Sequence, residues 1–146
     1  MGGEGGYFRR IYESDAKVGS NFAATSIYFM LTPDQPVSHL HRLKSDEIWH
    51  FHAGKSITII EIKDGKVTKT VLGNDLQAVM DDRMVMSHTV KAGAWFGSYL
   101  NSKSDFSVVS CTVVPGFQYN EFEVLYQNKA DGFEIPKDLQ FMIAKK

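Results

Sequence analysis

The sequence predicts an all-β domain with a barrel or sandwich architecture, and three observations lead to this prediction. Apolar residues alternate with period two along most of the chain, which is typical of antiparallel strands. The apolar runs are short and are separated by turn residues. A helical spacing of apolar residues occurs only near the C-terminus. With 146 residues the chain has the length of one domain, so we expect a single domain over residues 1–146.

Nine short strands follow from this pattern. In order, they are Tyr7–Tyr12, Ala24–Leu31, Glu47–Phe51, Ser56–Ile62, Val67–Leu72, Met84–Lys91, Trp95–Leu100, Phe106–Val114 and Glu121–Leu125. Between the fourth and fifth strands, Asp64-Gly65 has the chemistry of a tight two-residue hairpin turn. A short helix is expected to begin at Pro136 and to pack on the outside of the sheet through an apolar face made of Leu139, Met142 and Ile143.

Composition and charge exclude several classes of partner. Sixteen basic and seventeen acidic side chains give a formal net charge of −1, and no basic stripe suited to a phosphate backbone is present, so we expect no nucleic-acid partner. No apolar run approaches the length that spans a membrane, and the first residues lack the pattern of a signal peptide. The only cysteine, Cys111, is expected to be a small core residue. We therefore expect a cytoplasmic protein without a membrane partner.

Histidine is unusually concentrated in one part of the chain. Four of the five histidines fall within fourteen residues: His39, His41, His50 and His52. In an extended segment His39 and His41 share one face, because residues i and i+2 of a strand point the same way. In the strand that follows, alternation places Glu47 and Trp49 on one side and the later two histidines on the other, toward solvent or a partner subunit.

Two imidazoles followed by an inward carboxylate are typical of a metal site or of an acid/base cluster. In the first hypothesis His39, His41 and Glu47 hold a divalent transition metal. In the second, the same residues form an acid/base cluster. A structural or surface role for the His-x-His pair is the third possibility, and convergence of His41 with Glu47 depends on the turn between them.

The segment from Ser38 to Gly54 resembles the first cupin motif, in which His-x-His is followed by Glu and, six residues later, by Gly. Five blocks of the chain resemble, in the right order, the fifth cupin family, a branch long catalogued as a domain of unknown function: Glu4–Arg9, His41–His50, Leu72–Gly73, Gly93–Trp95 and Pro115–Phe117. This resemblance implies a double-stranded β-helix, or jelly-roll barrel, that is usually paired as a homodimer. It also implies an open interior pocket for a small molecule.

Three departures from the usual cupin pattern bear on the metal hypothesis. Five residues separate His41 from Glu47, which is one more than metal-binding cupins usually have. Phe96 stands three positions after Gly93, where the second cupin motif normally has a His, so the fourth metal ligand is missing. Lys91 replaces the Pro that usually precedes that Gly.

The resemblance extends to cupins that epimerise nucleotide-linked keto-sugars, and it implies a sugar epimerase or isomerase with His41 as base, oriented by Glu47 or Asp46. Tyr28, or alternatively Tyr99, would be the acid. The residues expected to contact a sugar-like ligand are His39, Trp49, Trp95, Phe96 and Glu121. Two alternatives remain open: a metal-dependent oxygenase or lyase, and a non-catalytic module that binds a small molecule.

Overall fold

Two five-stranded antiparallel sheets face each other in the computed structural model, which describes residues 3–127 and 135–145. The strands are β1 (Tyr7–Glu13), β2 (Lys17–Val18), β3 (Asn21–Phe22), β4 (Thr25–Leu31), β5 (Val37–Arg42), β6 (Asp46–Gly54), β7 (Ile57–Lys63), β8 (Lys66–Leu72), β9 (Ser87–Val90), β10 (Trp95–Leu100), β11 (Ser107–Val114) and β12 (Glu123–Val124). The helical segments in the same residues are α1 (Leu76–Met80) and the 3₁₀ turns Tyr119–Glu121 and Lys137–Met142.

The strand order confirms the predicted all-β jelly roll. The first sheet runs β1-β4-β11-β6-β9 and the second runs β12-β5-β10-β7-β8, while β2 and β3 form a small separate hairpin. Apart from the β7–β8 hairpin, neighbours within each sheet are distant in sequence, so the chain repeatedly crosses between the two sheets. This crossing leaves an interior between the sheets, as a jelly roll requires.

Apolar side chains form one core between the sheets and a second outside the second sheet. Ile57 and Ile59 of β7 face the inner core, and Ile60 and Ile62 face the outer one. The outer cluster is covered by Leu139, Met142 and Ile143. This confirms the expected short C-terminal helix on the outside of the sheet, formed as a 3₁₀ turn.

A β-bulge in β5 decides which side chains of that strand face inward. Phe96 of β10 pairs with His41, but Ser98 pairs with Ser38, so two steps on β10 match three on β5. Gly97 lies opposite the extra residue. A Cβ on Gly97 would approach the backbone carbonyl oxygen of Ser38 to 2.5 Å, so only glycine fits this position. As a result both Ser38 and His41 face the interior.

The elements differ from the prediction in a few places. The predicted hairpin turn is confirmed, since Asp64 and Gly65 both have positive φ, 52° and 75°. Strand β5 and helix α1 were not predicted, although Asp75 caps α1 by accepting hydrogen bonds from two backbone N–H groups. The strand expected over Glu121–Leu125 is shorter because a 3₁₀ turn occupies its start. Within the described ranges, no helix has the length and apolar character needed to cross a bilayer.

Candidate functional site

An open cavity enters the interior between the two sheets. The space between its wall atoms, with the open solvent at the mouth included, amounts to about 700 Å³. Most of the wall is apolar. The cavity is lined by Glu4, Phe8, Arg10, Thr25, Ile27, Phe29, Ser38, His41, Leu43, Glu47, Trp49, Cys111, Val113, Phe117, Tyr119 and Phe122. His41, Glu47 and Trp49, three of the residues proposed from the sequence, therefore meet at one cavity.

His41 is held between aromatic rings, with its ring centroid 4.1 Å from that of Phe96 and 5.5 Å from that of Phe122. Its Nδ1 lies 2.7 Å from the backbone carbonyl oxygen of His39. A carbonyl oxygen only accepts hydrogen bonds, so Nδ1 carries the proton and the neutral ring has its lone pair on Nε2. Burial lowers the pKa of His41, although the charge of Glu4 partly opposes this. His41 thus offers a neutral imidazole with Nε2 as acceptor.

Glu47 faces the same cavity from β6 and is 8% exposed. Burial raises the pKa of its carboxyl to about 7, a hydrogen bond with Cys111 lowers it, and the charge of Glu4 raises it further. The pKa of the Cys111 thiol is itself raised by burial and by the neighbouring Glu47, so the thiol remains protonated and is the donor to Glu47. At neutral pH a substantial fraction of Glu47 is therefore a protonated acid.

The predicted shared face of His39 and His41 is wrong, because the β5 bulge interrupts the alternation. His39 is absent from the cavity wall, and its Nδ1 donates to the backbone carbonyl oxygen of Glu4 over 2.7 Å. Within residues 3–127 and 135–145, no group of three or more His, Cys, Asp or Glu side chains could hold a metal ion. The donors His39, His41 and Glu47 therefore do not fit the expected divalent metal, and Phe96 packs against His41 at the position of the missing histidine.

The sequence predicts Tyr28 and Trp95 at the site, and the structure places both elsewhere. Tyr28 lies between the inward residues Ile27 and Phe29, so it faces outward and is 48% exposed, edge-on to His52. Trp95 precedes inward Phe96 and packs in the outer cluster beneath Arg42. Neither reaches the cavity, so Tyr28 is not an acid for a ligand there. Tyr99, the alternative acid, packs against the same outer cluster as Trp95.

Phe96 and Glu121 lie next to the cavity without lining it. Phe96 is 1% exposed and supports the rings of His41 and Trp49 from behind. Both carboxylate oxygens of Glu121 lie 3.3 Å from Nδ2 of Asn21, so this glutamate is occupied by a structural hydrogen bond. The ligand-contact prediction for these two residues is not matched by their positions.

The remaining histidines lie away from the cavity. His50 and His52 face outward on β6, as the alternation predicts, and Nε2 of His52 lies 2.9 Å from Oγ of Ser110. His88 of the first sheet contacts Glu61 of the second, with 2.8 Å between Nε2 and Oε2. This pair joins the two sheets, so His88 has a structural role.

Glu4 is the main cavity residue that sequence reasoning missed. Its backbone carbonyl oxygen accepts from the His39 N–H at 2.5 Å, which holds the N-terminal segment across the edge of β5. The side chain then lines the cavity beside His41 and Glu47. The signal in the sequence is the Glu4-Gly5-Gly6 block, which belongs to the family pattern but is separated by more than thirty residues from the other pocket motif.

Comparison with known proteins agrees with the topology and the motif. Residues 2–125 match the family Cupin_5, described as Cupin superfamily (DUF985). The chain belongs to this cupin family. A hypothetical protein from Leishmania major has a similar structure, with a TM-score of 0.85 and 32% identity over 98% of this chain and 91% of that chain.

Two further proteins extend the comparison. This cupin is 26% identical over 140 residues to the uncharacterised protein YML079W of Saccharomyces cerevisiae, covering 84% of this chain and 68% of the yeast protein. An oxalate decarboxylase variant from Bacillus subtilis shares the fold, with a TM-score of 0.63 and 14% identity over 98% of this chain and 37% of that chain. At that identity the likeness concerns the fold alone.

Proposed function

We propose that this cupin binds a small polar molecule in the interior cavity and catalyses proton transfer next to a carbonyl group on it, as an isomerase or epimerase does. One observation carries the proposal. The hydrogen bond from His41 Nδ1 to the His39 carbonyl oxygen leaves the lone pair on Nε2, and His41 lines the same cavity as a carboxyl group that is partly protonated at neutral pH. A base and an acid thus meet at one small-molecule pocket.

The chemistry begins with these two groups. His41 Nε2 takes the proton from the carbon beside the carbonyl, and the electron pair of that C–H bond forms a carbon–carbon double bond. The Glu47 carboxyl gives its proton to the carbonyl oxygen, which produces an enol. In isomerisation of a hydroxy-carbonyl compound, His41 returns its proton to the former carbonyl carbon, and Glu47 regains a proton from the neighbouring hydroxyl group as that oxygen becomes the new carbonyl. In epimerisation, water on the opposite face gives its proton to the carbon, Glu47 regains the enol proton, and His41 releases its proton to the hydroxide left behind, which restores both residues.

The wall around these groups supports the proposal. Phe29, Trp49 and Phe122 give the cavity apolar sides that exclude water from the acid and base. Burial of His41 and Glu47 moves their pKa values toward each other, downward for the imidazole and upward for the carboxyl. Both residues therefore hold the protonation state that the reaction needs in the neutral range.

The test is exchange of solvent deuterium into a panel of keto-sugars and amino-ketones, followed by NMR. The proposal expects exchange at the carbon beside the carbonyl with the wild-type protein, and loss of exchange with His41→Asn. A protein that binds panel members but exchanges none of them would instead be a non-catalytic binding module. Equal exchange in wild type and His41→Asn would contradict the assignment of the base.

We also propose a homodimer formed through the outer face of the first sheet, in the cytoplasm. Apart from Asp46 at the start of β6, which pairs with Lys91, the outward side chains on its central strands carry no formal charge: Ser26, Tyr28, Met30, Ile48, His50, His52, Val108, Ser110, Thr112 and Val114. A face with so little charge can pack against a copy of itself without bringing like charges together, and two of its apolar side chains, Tyr28 and Val114, are 48% and 42% exposed. The molar mass measured by light scattering should be about twice the 16.4 kDa of one chain. In Thr112→Lys, which places a charge on this face, the mass should fall to that of the monomer. A monomer at all concentrations would contradict the pairing.

A further inference from the structure

The N-terminal strap formed by Gly3–Gly6 brings an additional carboxylate to the cavity. Gly5 runs so close to the backbone carbonyl of Val37 that a Cβ at this position would overlap it, which fixes the path of the strap along β5. The backbone carbonyl oxygen of Glu4 accepts hydrogen bonds from the backbone N–H and from Nδ1 of His39, which holds Glu4 in place. The Glu4 side chain lines the cavity. Its Oε2 is shielded from solvent and has no hydrogen-bond partner among the described residues. A shielded carboxylate oxygen without a partner needs a donor or a cation.

The charges on the cavity wall are unbalanced toward the acidic side. Glu4 and Glu47 both line it, and Arg10 is the one Lys or Arg side chain on the described wall. The Arg10 guanidinium is bonded to Glu13, with 2.9 Å between Nη1 and Oε1, which offsets its charge. Burial lowers the pKa of His41, so the imidazole does not supply a compensating charge. The interior therefore favours a positive ligand and disfavours a negative one.

Aromatic rings surround these carboxylates. The cavity is lined by six of them: Phe8, Phe29, Trp49, Phe117, Tyr119 and Phe122. Near the mouth, the ring centroid of Phe117 lies 4.9 Å from that of Tyr119 and 5.8 Å from that of Phe122, both in edge-on geometry. The faces of aromatic rings attract cations, most strongly where water is excluded. Aromatic walls combined with a carboxylate are the chemistry that recognises an ammonium group.

We infer that the cavity selects a small molecule bearing a protonated amine, whose charge is neutralised by Glu4 and whose body packs on the aromatic wall. The inference rests on the proposed function, because it names the ligand class of the same cavity. An amino sugar or another amino-carbonyl compound has both the carbonyl group that the proposed reaction needs and the ammonium group that Glu4 would neutralise. Carboxylates, phosphates and nucleotide-linked sugars bring negative charge toward the Glu4 carboxylate and are disfavoured.

The test uses ligands that differ in charge on one scaffold. One set is glucosamine, glucose and glucuronate, and a second is cyclohexylamine, cyclohexanol and cyclohexanecarboxylate. Binding is measured at neutral pH by calorimetry and by the shift in Tm. We expect the amine to bind at least about tenfold more tightly than the other two members in at least one set. Equal or tighter binding of a neutral or anionic member, or no binding of either amine, would overturn the inference.

Variants separate the charge of Glu4 from a general effect on the fold. Glu4→Gln keeps the size of the side chain and should weaken the amine about tenfold while leaving the neutral member unchanged. The matched control is Glu121→Gln, because Glu121 is a nearby carboxylate that does not line the cavity. Equal amine affinity in wild type and Glu4→Gln would contradict the role of Glu4.

The two proposals fail in distinguishable ways. Amine binding without deuterium exchange would contradict the proposed catalysis and support the proposed ligand class. Deuterium exchange into neutral keto-sugars, without tighter binding of amines, would support the proposed catalysis and contradict the proposed ligand class.

Discussion

The Nδ1 atom of His41 lies 2.7 Å from the backbone carbonyl oxygen of His39. Because the carbonyl must accept, this contact selects the tautomer of a buried histidine and leaves its second nitrogen with a lone pair. The contact joins two residues of the His-x-His motif in a way that the motif alone does not suggest. His39 contributes its backbone to the site, and only His41 contributes its ring.

Replacing His41 by Asn should reduce deuterium exchange or turnover by a factor of about 100 or more, since general-base catalysis contributes at least that much. Ligand affinity should change only modestly, because the cavity walls remain. The control is His50→Asn, which removes an exposed imidazole on the outer face of the first sheet. Because this side chain does not line the cavity, the rate should be unchanged. A comparable loss in both variants would indicate a structural effect.

The pH dependence of catalysis follows from Glu47. Its carboxyl has a pKa of about 7 and must be protonated to act as an acid. We expect kcat/KM to fall about tenfold per pH unit above that value. A rate that continues to rise above pH 8 would show that Glu47 is not the acid.

Stability should depend on the same group. The folded-state pKa of Glu47, about 7, lies above the unfolded value of 4.5, so the folded protein binds more protons between these two values. The contribution of this carboxyl to the free energy of unfolding is therefore complete below pH 4.5 and is lost as pH rises through 7. Relative to wild type, Glu47→Gln should gain on the order of 3 kcal/mol across this interval.

Urea unfolding of both proteins at a series of pH values measures this difference. The histidine contributions are common to wild type and variant and cancel in the comparison. A difference that is constant with pH would contradict the raised pKa of Glu47.

The bulge beside Gly97 can be tested through stability. In Gly97→Ala the new Cβ would meet the Ser38 carbonyl oxygen at 2.5 Å and Cε of Met142 at 2.8 Å. We expect a loss of about 1–3 kcal/mol from overpacking and backbone shifts. Ser98→Ala is the control on the same strand, because the buried Oγ of Ser98 has no partner among the described residues and its removal should cost little. Equal stabilities of the two variants would contradict the close approach.

Metal content is a separate prediction. The bulge turns His39 away from His41 and Glu47, so we expect protein prepared without a His tag to contain less than about a tenth of an equivalent of any transition metal. Exchange activity should survive dialysis against EDTA. Stoichiometric metal that restores lost activity would require a donor set different from the one described above.

The sequence predicted the jelly roll well because alternation and turn residues are local signals. The inward direction of Glu47 and Trp49 followed from the same alternation, as did the outward direction of His50. Prediction failed at His39, because a bulge shifts the alternation by one residue and is recognisable only once β5 and β10 are paired. Trp95 and Glu121 were predicted to contact the ligand, but Trp95 packs in the outer core and Glu121 bonds to Asn21. The residue type alone does not indicate which core an aromatic side chain enters or which group a carboxylate binds.

Glu4 could not have been placed from its neighbours in sequence. Its position depends on a hydrogen bond to His39, thirty-five residues away, and on the path of the strap across β5. Long-range contacts of this kind determine the charge of the cavity.

The tautomer of His41 is the most direct test of the account. Proton–nitrogen correlation NMR on protein labelled with ¹⁵N-histidine, assigned by comparison with His41→Asn, reports which ring nitrogen carries the proton. At neutral pH we expect His41 to be neutral, with Nδ1 protonated and Nε2 free. A His41 ring that is protonated on Nε2, or on both nitrogens, would leave no base in the cavity and would contradict the proposed chemistry.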